Sequence, residues 1–224
     1  MRLNKIILNS HNIEAQKSFY NSVLGLSVTS NKQDFTVYLN DSQITFVLDN
    51  NAKPYHFAID IPANMIEEAL VWLKERTKVL KNDSFEIIDF PAWNAQSIYF
   101  YDADKNIVEF IARKNLKNST TISFSSESLL NVSEIGLATT NFEANRTILT
   151  SELGLTNFGT KTESFNALGN EEGLIILIDN QKKRWFPTNE MAYSSSFSAN
   201  LEINEAHYTI EYKNDKLKIT KHQS

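Results

Sequence analysis

The stretch NIVEFIAR, residues 106–113, sets one carboxylate, Glu109, inside an apolar strand of Ile107, Val108, Phe110 and Ile111. A carboxylate there is costly unless something meets its charge. Three chemistries would explain it: metal ligation, proton transfer, or half of an ion pair. A second polar interruption occurs in YHFAIDI. With strand alternation, His56, Ala58 and Asp60 share one face and Phe57 and Ile59 the other. In SIYFY the hydroxyls of Ser97, Tyr99 and Tyr101 likewise share a face.

Other chemistries find no residues to carry them. The chain has no cysteine, which excludes disulfides, thiolate zinc sites and cysteine nucleophiles. Its four histidines are dispersed. There is no Gly-x-x-x-x-Gly-Lys, Gly-x-Gly-x-x-Gly, Gly-x-Ser-x-Gly or His-Glu-x-x-His motif. A net charge of −5 gives no basic excess for nucleic acid, and the one basic cluster, Lys182-Lys183-Arg184, reads as a solvated loop. No apolar run approaches the roughly 20 residues of a membrane span. MRLNKIILNS lacks the apolar region of a signal peptide, so a cytoplasmic protein is expected. The 224 residues, 42% hydrophobic and 22% charged, are ordinary for a soluble globular chain.

The elements that must position these groups come from an internal repeat. KIILNSHNIEAQKSFYNSVLGL (Lys5 to Leu26) aligns without gaps on EIGLATTNFEANRTILTSELGL (Glu134 to Leu155). Each reads as a strand, an Asn cap (Asn12, Asn141), an amphipathic helix and a terminating Leu-Gly-Leu. Hairpins follow both copies, at Phe35–Asn50 and Phe165–Asn180. The first half continues with a second unit: the strand at His56, a helix with Met65, Ala69, Leu70 and Leu73 on one face, and three more strands. The second half has too few residues for this. Its last unit is expected to lack the helix and to end as an antiparallel meander. The polar, Ser-rich stretch 113–132 reads as the connection between halves 1–112 and 133–224.

The fold class is thus α+β, with four βαβββ modules of which the last is truncated. FYNSVLGL, HFAIDI and YFYDADKNIVEF together resemble the vicinal oxygen chelate superfamily, which includes glyoxalase I, extradiol dioxygenases and bleomycin-resistance proteins. The resemblance implies paired modules curved around a cavity with a divalent metal on its wall. It implies ligands from the first strand of each unit and the last strand of the second. Carried over, His56 and Glu109 match two ligand positions, and the third falls on Lys5, fourteen residues before the Phe of Phe19-Tyr20. Lysine, protonated at neutral pH, is a poor ligand. Three readings follow: a weak metal site of His56 and Glu109, a catalytic or anion-binding Lys5–His56–Glu109 cluster in which the ammonium stands in for the ion, or a residual buried ion pair. In the second half, Glu134 takes the first position, no histidine lies near Ser195–Ser198 and Lys218 replaces the carboxylate, so that half reads as structural, or as a lid or dimer-mimicking half.

Tyr99, Tyr101, Trp93 and Asp60 are the candidate substrate-binding residues, and 181–196 is long enough for a lid. The functional expectation is a small-molecule enzyme of the glyoxalase type, a lyase, isomerase or oxygenase relative. A ring-cleaving dioxygenase is disfavoured, because iron chemistry of that kind wants two histidines and a carboxylate. The alternative is a non-catalytic binding protein of the bleomycin-resistance type. With four modules in one chain, a monomer or a non-obligate dimer suffices.

Overall fold

The computed structural model of the chain describes residues 1–222. The first module comprises β1 (Arg2–Ser10), α1 (Ile13–Ser18), β2 (Ser27–Ser30), β3 (Asp34–Tyr38) and β4 (Gln43–Leu48). The Asn12 side chain caps α1, accepting the Ala15 amide at 3.1 Å. The second comprises β5 (His56–Ile61), α2 (Ile66–Lys74), β6 (Val79–Leu80), β7 (Ile88–Phe90), β8 (Ala95–Tyr101) and β9 (Ile107–Arg113). The third comprises β10 (Asn131–Thr139), α3 (Phe142–Leu153), β11 (Phe165–Asn170) and β12 (Gly173–Asp179). Gly154, at φ 64°, ends α3 in the left-handed conformation that favours glycine. The strand expected between α3 and β11 shrinks to one bridge, Asn157 with Leu168. The fourth module is β13 (Phe197–Ile203), β14 (Ala206–Lys213) and β15 (Lys216–Lys221), without a helix, as its length requires.

The strands form two sheets, ordered β15-β14-β13-β1-β4-β3-β2 and β11-β12-β10-β5-β9-β8-β6, with β7 also on β8. The halves of the sequence therefore do not each close a sheet. β1 pairs antiparallel with β13, so the first module joins the fourth. β10 pairs antiparallel with β5, so the second joins the third. Arg113 is not linker: it is the last, buried residue of β9.

Alternation divides each strand between two environments. Phe57 and Ile59 of β5, Val108 and Phe110 of β9, Ile135 and Leu137 of β10, and Ile6 and Leu8 of β1 enter one continuous core with Leu73 of α2 and Leu149 of α3. Each such side chain is worth about 1.5–3 kcal/mol when removed from water. This burial fixes register, since a one-residue slip would turn the apolar face outward. The same register delivers His56, Ala58, Glu109 and Glu134 to the opposite face. Among the described residues no helix is long and apolar enough to cross a membrane.

Candidate metal centre

One row runs across the second sheet. Glu134 of β10 lies opposite Ala58 of β5, Ala58 opposite Glu109 of β9, and Glu109 opposite Tyr99 of β8. Ala58 carries only a methyl group, so a hollow opens between the two glutamates. His56, two residues earlier on the same face, turns its ring into that hollow. One nitrogen of His56 and one oxygen each of Glu109 and Glu134 lie within 4.8 Å of one another, and all three residues are buried.

The histidine is oriented by its backbone surroundings. Its Nδ1 is 3.1 Å from the Ile107 carbonyl, a contact that requires Nδ1–H to donate. Nε2 then presents a lone pair, 3.6 Å from Oε2 of Glu109. Two acceptors facing each other need a proton or a cation between them. Burial pushes the His56 pKa down to about 4, so the ring is neutral at pH 7. Burial, and then Glu134, push Glu109 up to about 8. Burial raises Glu134 to about 7, against the opposing pull of Arg113.

Among the described residues Arg113 is the cation paired with Glu134. Its guanidinium bonds Glu134 through Nη2, and its Nε is 3.4 Å from Oδ1 of Asp60. Asp60, raised to about 6 by burial with Arg113 opposing, also accepts from Asn131 at 3.3 Å. Two buried carboxyl groups, Asp60 and Glu134, thus pair with one guanidinium, and Glu109 is held near them without an ion pair to it. When all are ionised, two negative charges remain uncompensated in surroundings where repulsion is weakly screened. A neutral imidazole nitrogen and two carboxylate oxygens form a donor set suited to a hard or borderline divalent ion. The Ile107 carbonyl and Arg113 act as the outer supports such ligands usually have. The residues fit a metal ion.

Above this floor lies a cavity of about 280 Å³. Trp185 forms part of its wall, with its ring centroid 5.0 Å from that of His56. Gly136 makes room for it: a Cβ there would meet the indole at 2.7 Å. Phe186 stands edge-on to Tyr99 at 5.7 Å between centroids. The connection 181–196 therefore supplies part of the enclosure.

No family model and no curated protein matches the sequence. Solved structures do match. A dioxygenase candidate from Bacillus subtilis superposes with a TM-score of 0.63 at 13% identity, covering 99% of this chain and 84% of its own. Glyoxalase I from Zea mays gives 0.57 at 11% identity, covering 98% and 92%. A point variant of that maize enzyme gives 0.58 at 11%, covering 98% and 93%. The chain shares the glyoxalase-like fold of these structures, built from βαβββ modules.

Within that fold the sequence-derived candidates separate. His56 and Glu109 meet, Tyr99 joins their row, and Trp93 lines the cavity. Tyr101 does not line it; its ring lies 5.4 Å from the Lys105 ammonium. Asp60 faces a different hollow, bordered by Arg2 and Asn131. Lys5 is not in the cluster. It lies on β1 in the other sheet, opposite Asn200 and Gln43, and forms no ion pair among the described residues. The expected approach of Lys5 to Glu109 fails because β5 pairs with β10 and not with β1. Glu134, read as part of a structural half, takes the third place. The repeat held the signal, since Lys5 and Glu134 occupy equivalent positions in its two copies. Arg113 was missed because it borders a polar stretch.

Proposed function

We propose that the protein is a metal-dependent small-molecule enzyme of the vicinal oxygen chelate type, with His56, Glu109 and Glu134 as ligands of a divalent ion. One observation carries the reading: three buried donors, His56, Glu109 and Glu134, converge from strands of two different modules to within 4.8 Å of one another. A bound ion would supply Lewis-acid polarisation to two neighbouring oxygens of a substrate. The chain's own groups do the rest. The Ile107 carbonyl holds the His56 tautomer. Arg113 holds Glu134 in place. The Tyr99 hydroxyl, beside Glu109 in the row, offers a hydrogen bond to a substrate oxygen. Glu109, raised toward neutral pH, accepts or returns a proton when it is not committed to an ion. The aromatic walls exclude water.

A second reading, a binding protein that sequesters its ligand, draws support from the same aromatic enclosure, which would hold a molecule without turning it over. In either reading the location is cytoplasmic. Tropolone, which presents two adjacent oxygens, tests the chelation that the enzyme reading requires. Protein loaded with manganese should bind it more than tenfold tighter than protein treated with chelator. Equal affinities would remove the metal from the account.

A further inference from the structure

We propose that the cavity selects a flat, conjugated organic anion, with its acid group at the mouth beside Lys183 and Arg184 and its planar body between the aromatic walls. The inference rests on reading this cavity as the functional site, and it names the substrate class.

The walls are rings held in fixed places. Phe90 and Trp93 stack on each other at 5.9 Å, Trp185 is tilted against His56 at 5.0 Å, and all four line the cavity. Both indoles sit in seats left by glycine. A Cβ at Gly136 would come within 2.7 Å of Trp185, and one at Gly159 within 2.3 Å of Trp93. Ring faces set by the fold lose little freedom when a ligand enters. They favour a π-system over a saturated body of similar size, because stacked and edge-on ring contacts add to area burial.

The charges give the ligand a direction. At the floor the charges of Glu109 and Glu134 are met by the proposed ion or by protons, so the unpaired cations of the cavity lie at its mouth. Lys183 and Arg184 line the same cavity, and Arg184 is exposed, marking where it opens to solvent. The Lys183 ammonium lies 5.4 Å from the Phe165 ring centroid. Neither residue forms an ion pair among the described residues, whereas neighbouring Lys182 is tied to Asp179 at 3.3 Å. Two cations without acidic partners on an apolar rim form a receptor for a carboxylate or similar group.

Calorimetric titration with three probes tests the inference. Cinnamate is flat and anionic, cinnamamide flat and neutral, and 3-cyclohexylpropanoate anionic but saturated. Cinnamate should bind at least tenfold tighter than either of the others. Lys183→Ala/Arg184→Ala should narrow the cinnamate-to-cinnamamide ratio to under threefold and leave manganese affinity unchanged. Equal binding of cinnamate and cinnamamide, no cinnamate binding at millimolar concentration, or a ratio that survives the double substitution would overturn the proposal. Manganese binding, measured separately, keeps the two readings apart. Selective cinnamate binding without manganese binding would sink only the metal; the reverse would sink only the anion.

Discussion

Glu109 and Glu134 face each other across the methyl group of Ala58, and the space that methyl leaves is where an ion fits. Ala58→Leu would fill it. Overpacking of this kind costs about 1–3 kcal/mol, which a domain of this size withstands. Manganese affinity should fall more than a hundredfold in the folded variant; parental affinity would place the ion elsewhere. The same glutamates set a pH dependence for metal-free protein. Both are raised in the folded state, to about 8 and about 7, and so bind protons more tightly than in the unfolded chain. Their contribution is present at low pH and lost as pH rises through those values. His56, lowered to about 4, acts oppositely, but only below the pKa of an unfolded histidine, about 6.5. Above pH 6.5 the glutamates decide. Thermal midpoints of chelator-treated protein should fall between pH 6.5 and 9, and Glu109→Gln should flatten the decline. A midpoint that rises over that range would contradict the charge assignment.

Sequence periodicity made most elements readable, because alternate burial in strands and the Gly154 terminus are local signals. The start of α3 at Asn141 was readable, but the groups that cap it were not. Asn141 has the composition of a cap, yet its side chain makes no cap bond and donates instead to Asp215 at 2.7 Å. Asp215, from the turn between β14 and β15, also accepts from the Thr139 hydroxyl at 2.6 Å and the Thr140 amide at 3.2 Å. A carboxylate from the fourth module thus sits at the positive end of a helix in the third. No local pattern announces a cap supplied from 75 residues away. Burial would raise the Asp215 pKa, but the hydrogen bonds from Thr139, Thr140 and Tyr212 together hold it below the usual range. A depressed carboxylate stabilises at neutral pH and loses that contribution as pH falls through its folded value. Asp215→Ala should cost about 1 kcal/mol at pH 7 by denaturant unfolding and less at pH 3. No loss at pH 7 would show that the cap carries no weight.

At the scale of the molecule, the four modules interleave: first with fourth, second with third. The repeat reveals the modules but not their partners, since strand pairing is decided by long-range packing that sequence order does not encode. That is why His56 and Glu109 were legible as polar interruptions, whereas their third partner fell on Lys5 and not on its repeat equivalent, Glu134. The β1–β13 and β5–β10 pairings are made within one chain, so neither sheet needs a second copy to complete it. Sedimentation equilibrium should show a monomer, or a dimer whose dissociation leaves metal affinity intact; loss of metal binding on dissociation would mean that the site needs the partner. The central claim is that one divalent ion is held across the halves by His56, Glu109 and Glu134. Manganese titration of chelator-treated protein, followed by calorimetry, tests it most directly when run beside Glu134→Gln and Lys5→Gln. The account predicts one equivalent bound by the parent, affinity at least a hundredfold weaker in Glu134→Gln, and no change in Lys5→Gln. Undiminished binding by Glu134→Gln, or altered binding by Lys5→Gln, would contradict it.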